Sequence, residues 1–370
     1  MKTPAFILAA HVIFSIGLAT PASAAGQPVY LPVKGNHEHK NWFNWIPVPR
    51  LWVWQNNSDV MADDILPAES RRASAEWGQK VVMRGDGDLS YHVDWKNVRL
   101  IVVDQYGDFG TSSRRKIGGL PVVGGLLKWV LPTMEEGNVN ATGRQYVSAL
   151  LDEAEADRNI DHVFVTFHEP AFPQNRHVGD SMDLYGPDRD ALWTLMASRP
   201  KVRAVLVGHT HFYSVFDKDG LRQIDVGGAG RVRSSATIPS LLTWLDVEVQ
   251  RDRLAFRVWQ SPWDYEVTSC YPAYYNDFCK PPDVPEAAFR VAESWDMQVP
   301  SASPRFDGPW AFAAISDSRS EFVAYRKVLE SIAGQRGAGR VPGLHFLVAV
   351  GDIDPVSTNY SMFRKVLSGP

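Results

Sequence analysis

Five clusters of Asp, Asn, His and Glu residues contain the side chains best suited to chemistry, and each follows a short apolar run. The clusters are Gly35-Asn36-His37-Glu38, His168-Glu169-Pro170, Gly208-His209-Thr210-His211, Asp317-Ser318-Arg319 and Gly351-Asp352-Ile353-Asp354. Imidazole and carboxylate groups bind transition metals, an Asn carbonyl is a neutral oxygen ligand, and a carboxylate can bridge two cations. These residue types therefore fit a two-metal centre, and two such metals can clamp a phosphoryl group.

The apolar runs before these clusters predict buried strands, and the strands would position the polar side chains. Ligands of open α/β sheets bind at the carboxyl ends of the strands, so the clusters would meet at one edge. The predicted strands are Val29–Val33, Leu100–Val103, His162–Phe167, Val202–Val207, Trp310–Ile315 and Phe346–Val350.

Helical patterns lie between the strands and predict an α/β fold. Thr142 followed by Gln145 is typical of a capping box at the start of a helix. A hairpin pattern makes the predicted sheets mixed. The apolar stripes of the helices run over 147–154, 192–196 and 322–332, and the hairpin covers 242–249 and 254–259.

Composition narrows the class of protein. The 370 residues are 45% hydrophobic and 22% charged, which fits a globular chain with a sizeable core. A net charge of −4 argues against a nucleic-acid-binding domain, since such domains need a basic surface. Two cysteines are too few for a cysteine-rich metal site, so nitrogen and oxygen ligands would have to build the centre.

Residues 1–24 have the pattern of a cleaved signal peptide. Lys2 precedes an apolar stretch, and Ala22-Ser23-Ala24 is a small-residue cleavage site. The alternative is a membrane anchor, but the apolar run is shorter than a full span, and no later segment is long enough to be a transmembrane helix. We therefore expect an exported protein, periplasmic or secreted.

Export favours a local disulfide between Cys270 and Cys279 over two free buried thiols.

Taken together, the GNHE, strand-end His, GHTH, strand-end Asp and GD motifs resemble those of the calcineurin-like metallophosphoesterases. The resemblance implies a four-layer sandwich of two mixed sheets flanked by helices. It also implies two divalent or transition metal ions (Mn, Fe, Zn or Ni) and hydrolysis of phosphate esters by a metal-activated hydroxide. The substrate would be a small molecule or an exposed phosphate ester, with monoester and diester both open, and the oligomeric state stays open as well.

The resemblance also assigns roles to individual residues. His37 would protonate the leaving group or stabilise the transition state, and either Glu38 or Asp354 would orient it. The implied ligands are Asp317, Asp352 and His211 for one metal, and Asn36, His168 and His209 for the second, with Asp352 bridging the two. No motif matches His39, His92, His162, His177 or His345.

The order of the motifs departs from the family. GNHE normally follows the Asp and GD motifs, whereas here it precedes them, which predicts a circular permutation of one domain, 25–370. Residues 25–279 would be the second part of the family order, 280–304 a linker or wrapping segment, and 305–370 the first part. The alternative is two incomplete halves that belong to different domains or pair between chains.

Arg319 stands where the family has a metal-binding His, two residues after the first Asp. An arginine keeps its proton and is not an ordinary metal ligand, so one metal site would be weakened or completed by water. Alternatively, Arg319 takes a catalytic part by binding the substrate phosphate, or it forms a surface salt bridge. The competing function is a metal- or ligand-binding protein whose catalysis is impaired by this arginine.

The glycine-rich segment 114–131 is either a packed insertion or a lid or membrane contact.

Overall fold

The structure is a computed structural model, and it describes residues 27–39, 58, 60–85, 88–106, 108–109, 137–230, 241–262, 288–299, 301–318, 322–341 and 343–367. Several sequence predictions lie outside these residues: the signal peptide, the segment 114–131, the Cys270–Cys279 disulfide and every role of Arg319. Within the described ranges, no helix has the length and apolar character needed to cross a membrane.

Thirteen strands and six helices form in the described part of the chain. The strands are β1 (Val29–Val33), β2 (Val81–Gly85), β3 (Asp88–Trp95), β4 (Val98–Val102), β5 (His162–Thr166), β6 (Val202–Val207), β7 (Tyr213–Lys218), β8 (Leu221–Val226), β9 (Thr243–Val249), β10 (Arg253–Gln260), β11 (Arg290–Gln298), β12 (Trp310–Ile315) and β13 (Leu344–Val350). The helices are α1 (Asn36–His39), α2 (Leu66–Trp77), α3 (Ala141–Ala156), α4 (Gly186–Ala197), α5 (Phe322–Gly337) and α6 (Val356–Leu367).

The strands form two mixed sheets, as the sequence predicts. One sheet has the order β1-β13-β12-β9-β10-β11, and the other has the order β2-β3-β4-β5-β6-β8-β7. In the first sheet β1, β13 and β12 are parallel, and in the second β4, β5, β6 and β8 are parallel. Parallel neighbours end at the same edge, so each sheet has one edge where several strand carboxyl ends meet.

The side-chain alternation of β5 shows how the layers stack. Phe164 faces Phe312 of β12 in the other sheet, with ring centroids 5.0 Å apart. Its neighbours Val163 and Val165 point the other way and pack in the core that α3 and α4 cover. On the far side, the Trp244 indole of β9 donates a hydrogen bond to Ser331 of α5 at 3.1 Å. The order of layers is therefore helix, sheet, sheet, helix, and the predicted four-layer α/β sandwich is confirmed.

Two local predictions differ from the structure. Asn140, not Thr142, is the N-cap of α3, and its side-chain oxygen accepts hydrogen bonds from the backbone N–H groups of Thr142 and Gly143. Asn is at least as good a cap as Thr, so the helix begins earlier than the capping-box pattern indicates. Within 280–304, β11 forms the edge strand beside β10. The sequence gives little sign of β11 because most of its side chains are exposed.

His345 provides a test of the core that does not depend on function. It is buried in β13, between the ring edges of Trp95 and Trp310. Burial lowers the pKa of His345 to about 3. Between about pH 3 and pH 6.5, His345 therefore binds a proton in the unfolded chain but not in the folded chain. Protonation favours unfolding in this range, so the free energy of unfolding is highest above about pH 6.5 and falls as the pH approaches 3.

We predict that His345→Phe keeps the ring packing and removes this acid sensitivity. Urea unfolding of both proteins at pH 7, 5 and 4 should show the wild type losing a few kcal/mol more than the variant, at about 1.4 kcal/mol per pH unit. Phe346→Leu, a neighbouring core change without a titratable group, should follow the pH dependence of the wild type. Parallel pH profiles for the wild type and His345→Phe would contradict the prediction.

Candidate metal centre

The site lies where the carboxyl ends of β1, β12 and β13 from one sheet meet those of β5 and β6 from the other. Loops after these strands carry the six implied ligands, and all six side chains are buried: Asn36, His168, His209, His211, Asp317 and Asp352. The structure thus brings together residues from both ends of the chain at one junction.

Short distances link the acidic and imidazole groups. Ligand atoms of His168, Asp317 and Asp352 all lie within 4.8 Å of one another. His168 Nε2 is 3.4 Å from Asp352 Oδ1, and His211 Nε2 is 3.5 Å from Asp317 Oδ1. The rings of His168 and His209 lie edge to face with centroids 5.1 Å apart. Asn36 lies between Gly35 and His37, and the backbone N–H of His37 donates to Asp352 Oδ1 at 3.0 Å.

The backbone at the site is strained. His209, His211, Asp317 and Asp352 all have left-handed conformations, with φ of 74°, 63°, 60° and 50°. Such conformations are costly for non-glycine residues and persist only where surrounding contacts fix them. One such contact is the hydrogen bond from the His209 N–H to Asp317 Oδ2 at 2.9 Å. These four are half of the eight non-glycine residues with such a conformation in the described ranges.

Close packing of the loops explains the glycines of two motifs. A Cβ on Gly35 would overlap the backbone nitrogen of Asp352, and a Cβ on Gly208 would overlap the Ser316 hydroxyl. The Ser316 hydroxyl itself donates to the carbonyl of Val350 at 2.7 Å. The glycines therefore allow loops from different strands to approach within contact distance.

Negative charge accumulates in this buried volume. Burial, and then repulsion from Asp352, raise the pKa of Asp317 well above its ordinary value. Burial, followed by the charges of Asp352 and Asp354, also raises the pKa of Glu38. Buried carboxylates are stable together only when cations, protons or hydrogen-bond donors neutralise them.

The donor set fits divalent or transition metal ions. Asn36 Oδ1 and Asp317 Oδ1 are fully buried and accept no hydrogen bond from the described residues. Such buried acceptors are rare unless they have a partner, and a cation bound at each position would satisfy these oxygens. Neutral imidazole, carboxylate and amide oxygen together are the ligands that Mn, Fe, Zn and Ni accept.

Glu38 and His37 have separate environments. The Glu38 carboxylate accepts hydrogen bonds from the N–H groups of Gly35, Asp352 and Ile353 at 2.7, 2.9 and 2.7 Å. It thereby joins the GNHE loop to the GD loop, 314 residues away in the chain. The His37 ring is 28% exposed at the rim of the cluster, and its Nε2 is 3.7 Å from Asp352 Oδ2. Its exposure distinguishes His37 from the six implied ligands, which are buried.

His177 is the main residue at the site that the sequence leaves unassigned. It lies in the loop after β5, and its ring centroid is 4.1 Å from that of His209. Its Nδ1 is 3.0 Å from Asp180 Oδ1, and His177, Asp180 and His209 form a second group with metal-ligand spacing. No motif spacing indicates His177, because the loop between it and His168 has no periodic pattern.

Asp225 in β8 forms a hydrogen bond with the GHTH turn and is likewise absent from the motifs. Its carboxylate accepts hydrogen bonds from the Thr210 hydroxyl at 2.7 Å and from the Gly227 N–H at 2.9 Å. Burial raises the pKa of Asp225 to about 8, although both hydrogen bonds oppose this shift. Only the position of β8 beside β6 brings it under Thr210, so sequence alone gives no signal for it.

Comparison of the sequence with protein-family models and with curated proteins gives no match. Several solved structures are similar. A dimetal phosphatase from Danio rerio has a TM-score of 0.39 and 16% identity, over 64% of this chain and 70% of its own. PhoD has a TM-score of 0.39 and 12% identity, over 90% of this chain and 60% of its own. GAP50, the anchor in the inner membrane complex of Plasmodium, has a TM-score of 0.33 and 10% identity, over 60% of this chain and 58% of its own.

We predict that Asp317→Asn stabilises the metal-free protein and weakens its response to metal. Asn keeps the size of the side chain and an oxygen for the His209 N–H, but it removes a buried charge beside Asp352. In EDTA at pH 8 the Tm of the variant should therefore be a few degrees above that of the wild type. Added Mn²⁺ should raise the Tm of the wild type much more than that of the variant, since a ligand stabilises only the state that binds it.

Asp161→Asn is the matched control. Asp161 is also buried, and burial raises its pKa, but hydrogen bonds from Ser301 and Asn97 outweigh this and hold the pKa below its ordinary value. Its replacement should lower the Tm in EDTA and leave the Mn²⁺ shift unchanged. If Asp317→Asn behaved like this control, the six buried residues would not be a metal centre.

Proposed function

We propose that this chain is a calcineurin-like metallophosphoesterase that hydrolyses phosphate esters with two divalent or transition metal ions. The observation that carries the proposal is the convergence of the whole implied ligand set, from five strand ends, in one buried cluster. Isolated buried histidines are common and usually have structural roles. Six ligand-type residues that meet in one cluster, four of them with left-handed backbone, favour a functional site, and two of their buried acceptor oxygens are left for cations.

One metal would be held by Asp317, Asp352 and His211, and the other by Asn36, His168 and His209, with Asp352 shared. Bound at these positions, two cations would neutralise phosphoryl oxygens and lower the pKa of a water molecule. The protein itself supplies a fixed and dry ligand frame. Glu38 holds the GNHE and GD loops together, and the His209 N–H holds Asp317, so the ligands keep their spacing without moving.

His37 is the group that would assist the leaving alcohol. Its partly exposed ring is accessible to a substrate, and its Nε2 lies 3.7 Å from Asp352 Oδ2, at the rim of the centre. A protonated Nε2 donates a proton to the departing oxygen, which is general acid catalysis. His177, packed on His209 and hydrogen-bonded to Asp180, borders the second metal position.

The finer parts of the proposal come from the sequence. Residues 1–24 would direct export, so the enzyme would act outside the cytoplasm on small phosphate esters or on exposed ones. The chain would be circularly permuted, with 305–370 preceding 25–279 in the family order. The parallel pairing of β1 with β13 supports this, because it places the first and the last described strands side by side in one sheet.

We predict that Asp352→Asn and His209→Ala each lower kcat/KM by more than about 100-fold, because even indirect supports of metal ligands are worth 10- to 100-fold. The measurement is hydrolysis of an aryl phosphate and a bis-aryl phosphate with added Mn²⁺, and circular dichroism checks that both variants fold. His92→Gln, a histidine of β3 outside the site, is the control and should stay near wild-type activity. Retained turnover in both site variants would contradict the proposal, and a wild type that binds Mn²⁺ without turnover would favour a binding protein.

We predict that the effect of His37→Ala depends on the leaving group. A nitrophenolate leaves without a proton, whereas an alkoxide needs one, so loss of a general acid slows alkyl esters more. Removal of His37 should cost about 100-fold on an alkyl phosphate and much less on p-nitrophenyl phosphate, within the usual range for such catalysis. Equal losses on both substrates would show that His37 does not supply the proton.

A further inference from the structure

A buried chain of polar groups joins the two sheets directly beside the candidate metal centre. It begins at Lys34, which follows β1, and at Asp104, which follows β4 in the other sheet. Lys34 Nζ is 3.0 Å from Asp104 Oδ2, and the two side chains are only 9% and 2% exposed. Neither residue belongs to any of the five motifs.

The chain continues from Asp104 towards His168. Asp104 Oδ1 accepts a hydrogen bond from the Tyr106 N–H at 2.9 Å, and the Tyr106 hydroxyl donates to Glu169 Oε1 at 2.9 Å. Burial, and then the charge of Glu169, raise the pKa of Tyr106 well above its ordinary value, so the hydroxyl keeps its proton. Glu169 is the residue next to His168.

Gln105 fixes the backbone at the same place. Its side-chain oxygen accepts from the Glu169 N–H, and its amide nitrogen donates to the Glu169 carbonyl at 3.0 Å. The main chain on either side of Glu169 is therefore held to the end of β4. At the other end of the polar chain, Lys34 lies two residues before Asn36. The polar chain thus connects the loop that carries Asn36 to the loop that carries His168, across the junction of the sheets.

Stability alone does not explain the buried Lys34–Asp104 ion pair. A buried ion pair often contributes little net stability, because desolvation of both charges offsets their attraction. In some proteins, buried ionic groups instead fix a specific geometry of the elements that they join. Here the geometry at stake is the separation of two strand ends, and both strand ends carry implied ligands of the same metal.

We propose that Lys34, Asp104, Tyr106 and Glu169 form a positioning network that sets the separation of Asn36 and His168 and so tunes the affinity of the second metal site. These are positioning residues and not catalytic ones, since Lys34 and Asp104 are buried and paired with each other. The inference rests on the proposed function only in requiring that the six ligands bind metal. Groups that orient metal ligands are typically worth 10- to 100-fold in metal affinity.

The test is Mn²⁺ titration by calorimetry of the full chain, three variants of the network and one control variant. Tyr106→Phe removes one hydroxyl without leaving a buried charge. Lys34→Met removes the ammonium and leaves the buried Asp104 charge without its lysine, whereas Lys34→Met with Asp104→Asn removes both charges. Lys96→Met is the control, because Lys96 pairs with Asp307 at 2.7 Å and joins the same two sheets at the opposite ends of β4 and β12.

We expect Tyr106→Phe and the double variant to bind one Mn²⁺ as the wild type does and the other roughly 10- to 100-fold more weakly. The kcat should recover at saturating Mn²⁺. A general loss of stability would instead weaken the binding of both Mn²⁺ ions, because each binds only the folded state. Lys96→Met should keep both affinities. Wild-type affinity at both sites in Tyr106→Phe and in the double variant would overturn the positioning role alone. A wild type that bound no Mn²⁺ would overturn the proposed function and this inference together.

Discussion

The structure depends on the burial of two carboxylates, Asp317 and Asp352, at the junction of two sheets. Each is almost completely excluded from solvent, and each carries a backbone conformation that is unfavourable for aspartate. Burial and mutual repulsion oppose two negative charges at this position. The surrounding histidines, the Asn36 oxygen and the strained loops are best understood as the frame of a site that cations would neutralise.

The fold keeps that frame in place by tying the two sheets together at their carboxyl ends. Glu38 joins two loops of one sheet through three backbone N–H groups, while the Lys34–Asp104 pair and the His209–Asp317 hydrogen bond cross from one sheet to the other. These contacts lie within a few residues of the ligands. The hydrophobic cores on either side of the sheets hold the strands, and the polar contacts set the distances between the strand ends.

Most of the strands and the residues that cluster at their ends were predictable from the sequence, for a physical reason. Strands such as Trp310–Ile315 are continuous apolar runs because they are buried on both faces, and polar motifs mark the ends of such strands. β11 was not predictable, because its edge position leaves most side chains exposed. His177 and Asp225 were missed because tertiary packing alone brings them to the site. The N-cap Asn140 was missed because Thr142 offered a competing cap signal.

The most direct test of the central claim is the anomalous diffraction of crystals of this protein grown with Mn²⁺. The account predicts two strong peaks in the anomalous difference map, one among Asp317, Asp352 and His211 and the other among Asn36, His168 and His209, with Asp352 contacting both. Absence of any peak at these six residues, in crystals shown by elemental analysis to contain Mn²⁺, would contradict it.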